Sequence, residues 1–89
     1  MTKAQQDSNI ADGIVGLRAV LDEIEQSQAD GDDLLTMEIA EKMQDHVASI
    51  MWSASANAHE VPGTSWAVIG GRLGISRQAA HQRYAGERP

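Results

Sequence analysis

The side chains best suited to chemistry in this 89-residue sequence are grouped in one short run near its carboxyl end. Arginine can form paired hydrogen bonds to guanine, and glutamine to adenine, at the base edges exposed in the major groove of DNA. We take four residues as candidate base contacts: Arg77, Gln78, His81 and Gln82. For His81 and Gln82, contact with the phosphate backbone and plain exposure to solvent remain open alternatives.

A second set of residues in the same region could hold phosphate groups. Guanidinium groups bind phosphate, and hydroxyl groups and backbone N–H groups at the start of a helix can do the same. The candidate phosphate contacts are Thr64, Ser65, Arg72, Ser76 and Arg83. The hydroxyl side chains could also serve simply as helix caps, and the two roles are compatible. Arg88 lies in a polar tail, where it could add positive charge or contribute nothing.

The run from 64 to 74 predicts a short helix that carries part of these side chains. Thr64 or Ser65 can cap its first turn, and Gly74 can take the left-handed conformation that ends it. Its larger apolar residues are spaced by three and four positions, which places them on one face: Trp66, Ile69 and Leu73.

A second short helix follows directly and presents the candidate base contacts. Ile75 can fill the angle between the two helices, and Ser76 can cap the second one. Ala80 and Tyr84 are one turn apart and would face inward, with Ala80 small enough to allow a close approach. The polar side chains then point outward.

This pattern resembles the helix-turn-helix of small bacterial regulators and the related module of sigma-factor-like proteins. The resemblance covers residues 64–84, about a quarter of the chain, with Gly70 where such modules usually carry alanine. The matching residues are Ile69, Gly70, Leu73, Gly74, Ile75, Ser76 and Ala80. It implies that the second helix enters the major groove of double-stranded DNA, and usually that the protein is a dimer.

The charge of the chain is divided unevenly between its two parts. Residues 1–61 contain twelve acidic and three basic side chains, a net charge of −9, whereas residues 62–89 contain one acidic and four basic side chains, a net charge of +3. A basic end on an acidic body suits contact with nucleic acid at that end. The acidic body opposes long-range attraction, so we expect weak nonspecific binding to DNA.

The composition argues against several other classes of protein. The chain has no cysteine, which excludes disulfides and thiolate metal sites, and only three aromatic residues, which disfavours base stacking on single strands. The three histidines lack zinc-ligand spacing, so we expect neither metal nor cofactor. Ser49 and Ser53 have no matched base, and we expect no enzyme. No apolar stretch or signal-peptide pattern points to a membrane, so we expect a cytoplasmic, nucleoid-associated protein.

The first two-thirds of the chain predict a helical hairpin. Residues 1–9 are polar and expected to be flexible, with Ser8 as a plausible cap for a helix over about 9–28. Turn-forming residues at 29–33 separate it from a second helix over roughly 33–58. No segment has a strand pattern. We therefore predict an all-α, four-helix domain: an acidic hairpin at 10–61 for packing and dimerisation, and a helix-turn-helix unit at 62–89.

Three further features of the chain permit two interpretations each. The first helix carries an apolar stripe at spacings of three and four: Ile10, Ile14, Leu17, Leu21 and Ile24. This stripe could cover the core of one chain or pair with a second copy of the protein, and we expect a homodimer. Trp52 and Trp66 could line a ligand pocket, but we favour packing. The acidic cluster is a solvated face or a surface for a basic protein partner: Asp22, Glu23, Glu25, Asp30, Asp32 and Asp33.

The sequence thus supports one leading hypothesis and two alternatives. The leading one is a sequence-specific regulator of transcription, a repressor that binds double-stranded DNA as a dimer and occludes a promoter. The first alternative is a protein-interaction adaptor or antitoxin whose acidic helices bind a basic partner. The second is an architectural or mobile-element accessory protein that bends or coats DNA.

Overall fold

A computed structural model describes residues 2–86, and within that range the chain forms four α helices and no strand. The helices are α1 (Lys3–Ala29), α2 (Asp33–Glu60), α3 (Trp66–Leu73) and α4 (Arg77–Tyr84). The predicted all-α class is confirmed. The molecule is elongated, with principal dimensions of 49 × 28 × 20 Å. The predicted C-terminal unit extends to residue 89, so its last three residues, with Arg88, lie outside the described residues.

The first helix begins at Lys3, so the predicted start near residue 9 with Ser8 as its cap is wrong. The Thr2 hydroxyl accepts a hydrogen bond from the backbone N–H of Gln5, and the Gln5 side chain accepts one from the backbone N–H of Thr2. This reciprocal capping box satisfies two backbone donors that a helix start leaves open. The polar residues that follow form helix readily, and α1 therefore begins six residues early.

The hairpin is held together closely because small residues line the seam between α1 and α2. A Cβ atom added to Gly13 would lie 2.6 Å from Cγ1 of Ile50, and one added to Gly16 would clash with the imidazole ring of His46. Near the turn of the hairpin, the buried Ser27 hydroxyl lies 2.6 Å from Oγ1 of Thr36. The glycines that weaken α1 as an isolated helix are thus the residues that let α2 approach it.

The other end of the hairpin is joined by a side-chain hydrogen bond across 50 positions of sequence. The Asn57 amide donates to the Asp7 carboxylate at 2.9 Å, and Lys3 donates to the same carboxylate. These bonds fix the first turns of α1 beside the last turns of α2.

The second helix is the spine of the molecule. It packs along α1, and its C-terminal half also packs against α3 and α4, whereas α1 packs on α2 alone among the described helices. This helix therefore contacts both α1 and the α3–α4 pair. Few apolar side chains are fully buried in the described residues, and they fall into two small groups: Val20 and Ile39 in the hairpin, Ile69 and Ala80 between α3 and α4.

Candidate nucleic-acid interface

The turn between α3 and α4 has the geometry that the sequence predicts. Gly74 ends α3 in the left-handed conformation, with φ of 72°. The backbone N–H of Ile75 donates to the carbonyl oxygen of Gly70 at 2.9 Å, which satisfies one of the carbonyl groups left open at a helix end. The prediction that α3 ends at Gly74 is confirmed.

The start of α4 is fixed by its cap and by one small residue. The Ser76 hydroxyl accepts a hydrogen bond from the backbone N–H of Ala79 at 3.0 Å, as predicted. Ala80 is 0% exposed, so the predicted close approach of the two helices at this residue is confirmed.

Gly70 stands at the closest point between α3 and the turn. A Cβ atom there would lie 2.8 Å from the carbonyl oxygen of Ile75 and 2.9 Å from that of Ser76. These are backbone atoms, which cannot rotate away. The approach of α3 to the turn explains why a glycine stands at this position.

The four candidate base contacts are all exposed on α4. At 3.6 residues per turn, Gln78 and Gln82 lie on the side of the helix opposite the buried Ala80, and Arg77 and His81 lie together on one flank. The outer surface of α4 is therefore a polar ridge with hydrogen-bond donors along its whole length. We use the term polar ridge for these four residues.

His81 makes an aromatic contact that the sequence analysis missed. Its ring meets the edge of Trp66 with 5.8 Å between centroids, and His59 at the end of α2 stacks on Trp66 with 4.5 Å between centroids. The three rings come from three different helices. No spacing along the chain could have indicated this contact, which links the polar ridge to the hairpin and restricts the ring of His81.

The candidate phosphate contacts occupy the edges of the same surface. Arg72 is exposed in the last turn of α3, and Arg83 is exposed on α4 beside a shallow apolar groove formed with α2. Ser65, rather than Thr64, caps α3, and its hydroxyl accepts from the N–H of Val68 at 3.3 Å. The capping roles of Ser65 and Ser76 are thus observed, and their contact with phosphate stays a prediction.

The surface formed by α3 and α4 has a uniform sign of charge. No aspartate or glutamate occurs from residue 61 to residue 86, while three arginines do: Arg72, Arg77 and Arg83. The ion pair of Lys3 with Asp7 is on the hairpin, and no ion pair joins these arginines to other residues within the described range. The guanidinium groups are therefore available to an anionic ligand.

Two expectations about packing are only partly met. Leu73, predicted to share the inner face of α3 with Ile69, is 41% exposed because it is the last residue before the turn. The two tryptophans are half-buried rather than enclosed. They line, together with Tyr84, a cleft of about 620 Å³ between the hairpin and the α3–α4 pair. All three Trp and Tyr residues of the chain thus meet at this junction.

No group of three histidine, aspartate or glutamate side chains is placed to hold a metal ion among residues 2–86. None of the helices in that range combines the length and the apolar character that crossing a membrane requires. Comparison with protein-family models, curated proteins and solved structures found no match.

Proposed function

We propose that this chain is a sequence-specific double-stranded DNA-binding regulator of transcription, and that it acts as a repressor by covering promoter DNA. The observation that carries the proposal is the polar ridge of α4, exposed along its length and flanked by arginines on a surface free of acidic residues from 61 to 86. Surface helices of an acidic protein that only contact water would not be expected to carry positive charge alone.

The dimensions of α4 suit the major groove. An α helix with its side chains is about 10–12 Å across, and the major groove of B-form DNA is about 12 Å wide. With Ala80 turned toward α3, Gln78 and Gln82 face a docked duplex directly, and Arg77 reaches it from the amino-terminal end. In this arrangement the polar ridge reads bases, with His81 held at its flank by Trp66.

Phosphate groups on either side of the groove are met by the surrounding residues. Arg72 extends from the end of α3, and the capped starts of both helices offer backbone N–H groups next to Ser65 and Ser76. Arg83 lies nearer the hairpin and contacts the backbone beyond the groove. The hairpin itself is acidic, so binding depends on this one surface rather than on the overall charge of the protein.

The proposed functional unit is a homodimer in the cytoplasm, bound to the nucleoid. One helix of eight residues contacts only a few base pairs, and regulators of this kind gain specificity by placing two such helices about 34 Å apart on successive turns of DNA. A palindromic or directly repeated site is expected.

The test begins with selection of bound sequences from a random DNA pool, which reports specificity, symmetry and half-site spacing together. Fluorescence anisotropy then measures affinity for the selected site and for random DNA. Arg77→Ala is expected to cost about 1–3 kcal/mol on the selected site and much less on random DNA. Arg18→Ala, which removes an exposed arginine from the hairpin, is the matched control and should change neither value. Failure to enrich any sequence, with no binding even at low salt, would contradict the proposal.

Arg72→Ala separates positioning from base recognition. A phosphate contact carries no sequence information, so its loss should weaken binding to all DNA alike and reduce the slope of log K against log salt concentration by about one. A loss confined to the selected site would instead assign Arg72 to base recognition.

A second candidate function has one observation in its favour. The acidic cluster around the turn of the hairpin is exposed, and no lysine or arginine forms an ion pair with it in the described residues. This surface suits a basic protein partner, as in an adaptor or an antitoxin. Stoichiometric co-purification of a basic protein that is lost on replacing Asp22 and Glu23 by Asn and Gln, with DNA binding unchanged, would support it.

A further inference from the structure

One side of the hairpin is apolar over its middle part, between the Lys3–Asp7 pair at one end and Glu25 near the turn. The contact line between the helices is marked by Gly13 and Gly16 of α1, which face Ile50 and His46 of α2. In two antiparallel right-handed helices, stepping round each helix from this line in the direction of increasing residue number leads to the same side of the pair. The residues found there form what we call the apolar side: Ile10, Ile14, Leu17 and Leu21 of α1, with Met43, Val47, Met51 and Ala54 of α2. Met43, Val47 and Met51 also line the shallow groove beside Arg83 of α4, which borders this side.

Large side chains on the apolar side remain accessible to solvent. Ile14 is 40% exposed, Leu21 48% and Val47 45%. On α2 the row continues through Ala40 and Ala58 without a charged residue. A row of this length left in contact with water is uncommon on a monomeric protein, where apolar patches are small and scattered.

The opposite side of the hairpin has the reverse composition. Stepping the other way from the contact line leads to polar and charged residues on both helices: Gln5, Asn9, Asp12 and Glu23 of α1, with Glu38, Lys42, Asp45 and Ser49 of α2. One side of the hairpin therefore suits contact with solvent, and the other suits packing against an apolar surface.

We infer that the apolar side is the surface through which two copies of this chain associate. An apolar surface is best covered by another apolar surface, and a second copy supplies it, because an interface about a two-fold axis places the same patch on both subunits. Residues 1–61 carry a net charge of −9, so two copies repel each other through the other surfaces of the hairpin. Contact through the apolar side keeps the acids of the opposite side far apart.

The area agrees with a weak dimer. At about 1.5 Å per residue the row on α2 from Ala40 to Ala58 is about 27 Å long, the row on α1 from Ile10 to Leu21 is about 17 Å long, and each helix is about 10 Å wide. The projected area is roughly 440 Å² per subunit, so two copies would bury about 900 Å², the size of a weak or transient interface. Val20 and Ile39 are the large apolar residues of the hairpin classed as buried in the described residues, so association also supplies burial that one copy lacks.

This surface deepens the proposed function, which rests on a pair of α4 helices, but the argument for it comes from the hairpin alone. The test therefore uses the full chain without DNA, so that the two proposals can fail separately. Sedimentation velocity from about 1 to about 100 µM is expected to show a species of twice the 9.6 kDa chain mass. A wild-type protein that stays monomeric at the highest concentration overturns the inference and leaves DNA binding to be judged on its own.

Substitutions on the apolar side of the hairpin and on the outer surface of α1 locate the interface. Leu21→Asp and Val47→Asp each place a carboxylate in the interface and should raise the dimer Kd about 100-fold or more. Val15→Asp is the matched control, because Val15 is 67% exposed but lies on the outer surface of α1. It should leave the Kd unchanged. Equal weakening by Val15→Asp and Leu21→Asp overturns the assignment of the surface.

A cross-linking experiment keeps the inference testable if the aspartate variants do not fold. The chain contains no cysteine, so a single cysteine can be introduced without background. Leu21→Cys, a milder change, should give linked dimers with a short bis-maleimide, and Val15→Cys should not. Efficient linking through position 15 and none through position 21 contradicts the apolar side as the interface.

Discussion

Two adjacent glycines of α3 have opposite surroundings, and replacing each by alanine tests how tightly α3 meets the turn. Both substitutions bring the same gain in helix propensity, about 0.8–1 kcal/mol. At Gly71 a Cβ atom would meet nothing within 4 Å. At Gly70 it would lie 2.8 Å from the carbonyl oxygen of Ile75, where ordinary contact begins at 3.4 Å. We expect Gly71→Ala to stabilise the protein and Gly70→Ala to destabilise it.

The size of the difference follows from the backbone shift that Gly70→Ala requires. The turn must retreat by about 0.6 Å to restore contact distance, and overpacking of this kind costs about 1–3 kcal/mol. The same movement stretches the hydrogen bond from the Ile75 N–H to the Gly70 carbonyl oxygen, which is 2.9 Å long in the wild type. A hydrogen bond of this kind contributes about 0.5–1.5 kcal/mol to stability. After the gain in propensity, Gly70→Ala should lose roughly 1–3 kcal/mol, so the two variants should differ by about 2–4 kcal/mol.

Urea denaturation followed by circular dichroism measures both free energies of unfolding at one protein concentration. In thermal melts the two midpoints should move in opposite directions, by about 4–8 °C for each kcal/mol in a domain of this size. Gly71→Ala is the control for helix propensity, since it shares the helix and lacks the contact. If Gly70→Ala proved as stable as Gly71→Ala, the close approach of α3 to the turn, and with it the placement of α4, would be refuted.

Three further predictions address the ends and the seam of the helices. Ser76→Ala removes the cap of α4 and should cost about 1 kcal/mol in the free energy of unfolding, while Ser76→Asp, which restores a cap, should recover stability in the same urea titration; equal loss in both would show that the cap is unimportant. The hydrogen bond from Lys3 lowers the pKa of the Asp7 carboxyl below its ordinary 3.8. The ionised carboxylate therefore stabilises the folded protein fully at pH values above 3.8, and this contribution is lost as the pH falls through the lowered pKa. Asp7→Asn should therefore show a smaller loss of stability on acidification than the wild type, and an identical acid profile would count against the pair. Gly16→Ala would push its Cβ atom into the His46 ring, and the packing cost of about 1–3 kcal/mol should outweigh the gain in helix propensity of about 0.8–1 kcal/mol. The NMR chemical shifts of the His46 ring should differ from those of the wild type, and unchanged shifts would mean that the seam is loose.

The parts of the fold that sequence could predict are those determined by a few neighbouring residues. Gly74, Ser76 and Ala80 each have a local reason for their position: a left-handed turn, a helix cap and a close contact. The exposure of α4 follows from them, because burial of Ala80 turns Gln78 and Gln82 outward. The turn between α3 and α4 and the start of α4 were therefore predictable from neighbouring residues.

The parts that sequence could not predict depend on contacts between distant segments. The rings of His59, Trp66 and His81 meet only because α2, α3 and α4 converge. The glycines of α1 read as weak points until α2 is placed beside them. The start of α1 is a different case, because the Thr2 and Gln5 capping box is a local signal, hidden in a segment whose polarity indicated flexibility.

The seam of the hairpin has a thermodynamic consequence. Its most enclosed side chains are the serines Ser27 and Ser53, with Val20 and Ile39 as the buried large apolar residues. Unfolding exposes the hydroxyl and peptide groups of this seam to water, and polar exposure lowers the heat-capacity change of unfolding. It exposes few hydrocarbon groups, whose exposure would raise that change. Calorimetry of the monomeric protein should thus give a heat-capacity change of unfolding below the usual value of about 12–15 cal/mol/K per residue. Its curve of stability against temperature would be shallow, with little tendency toward cold denaturation.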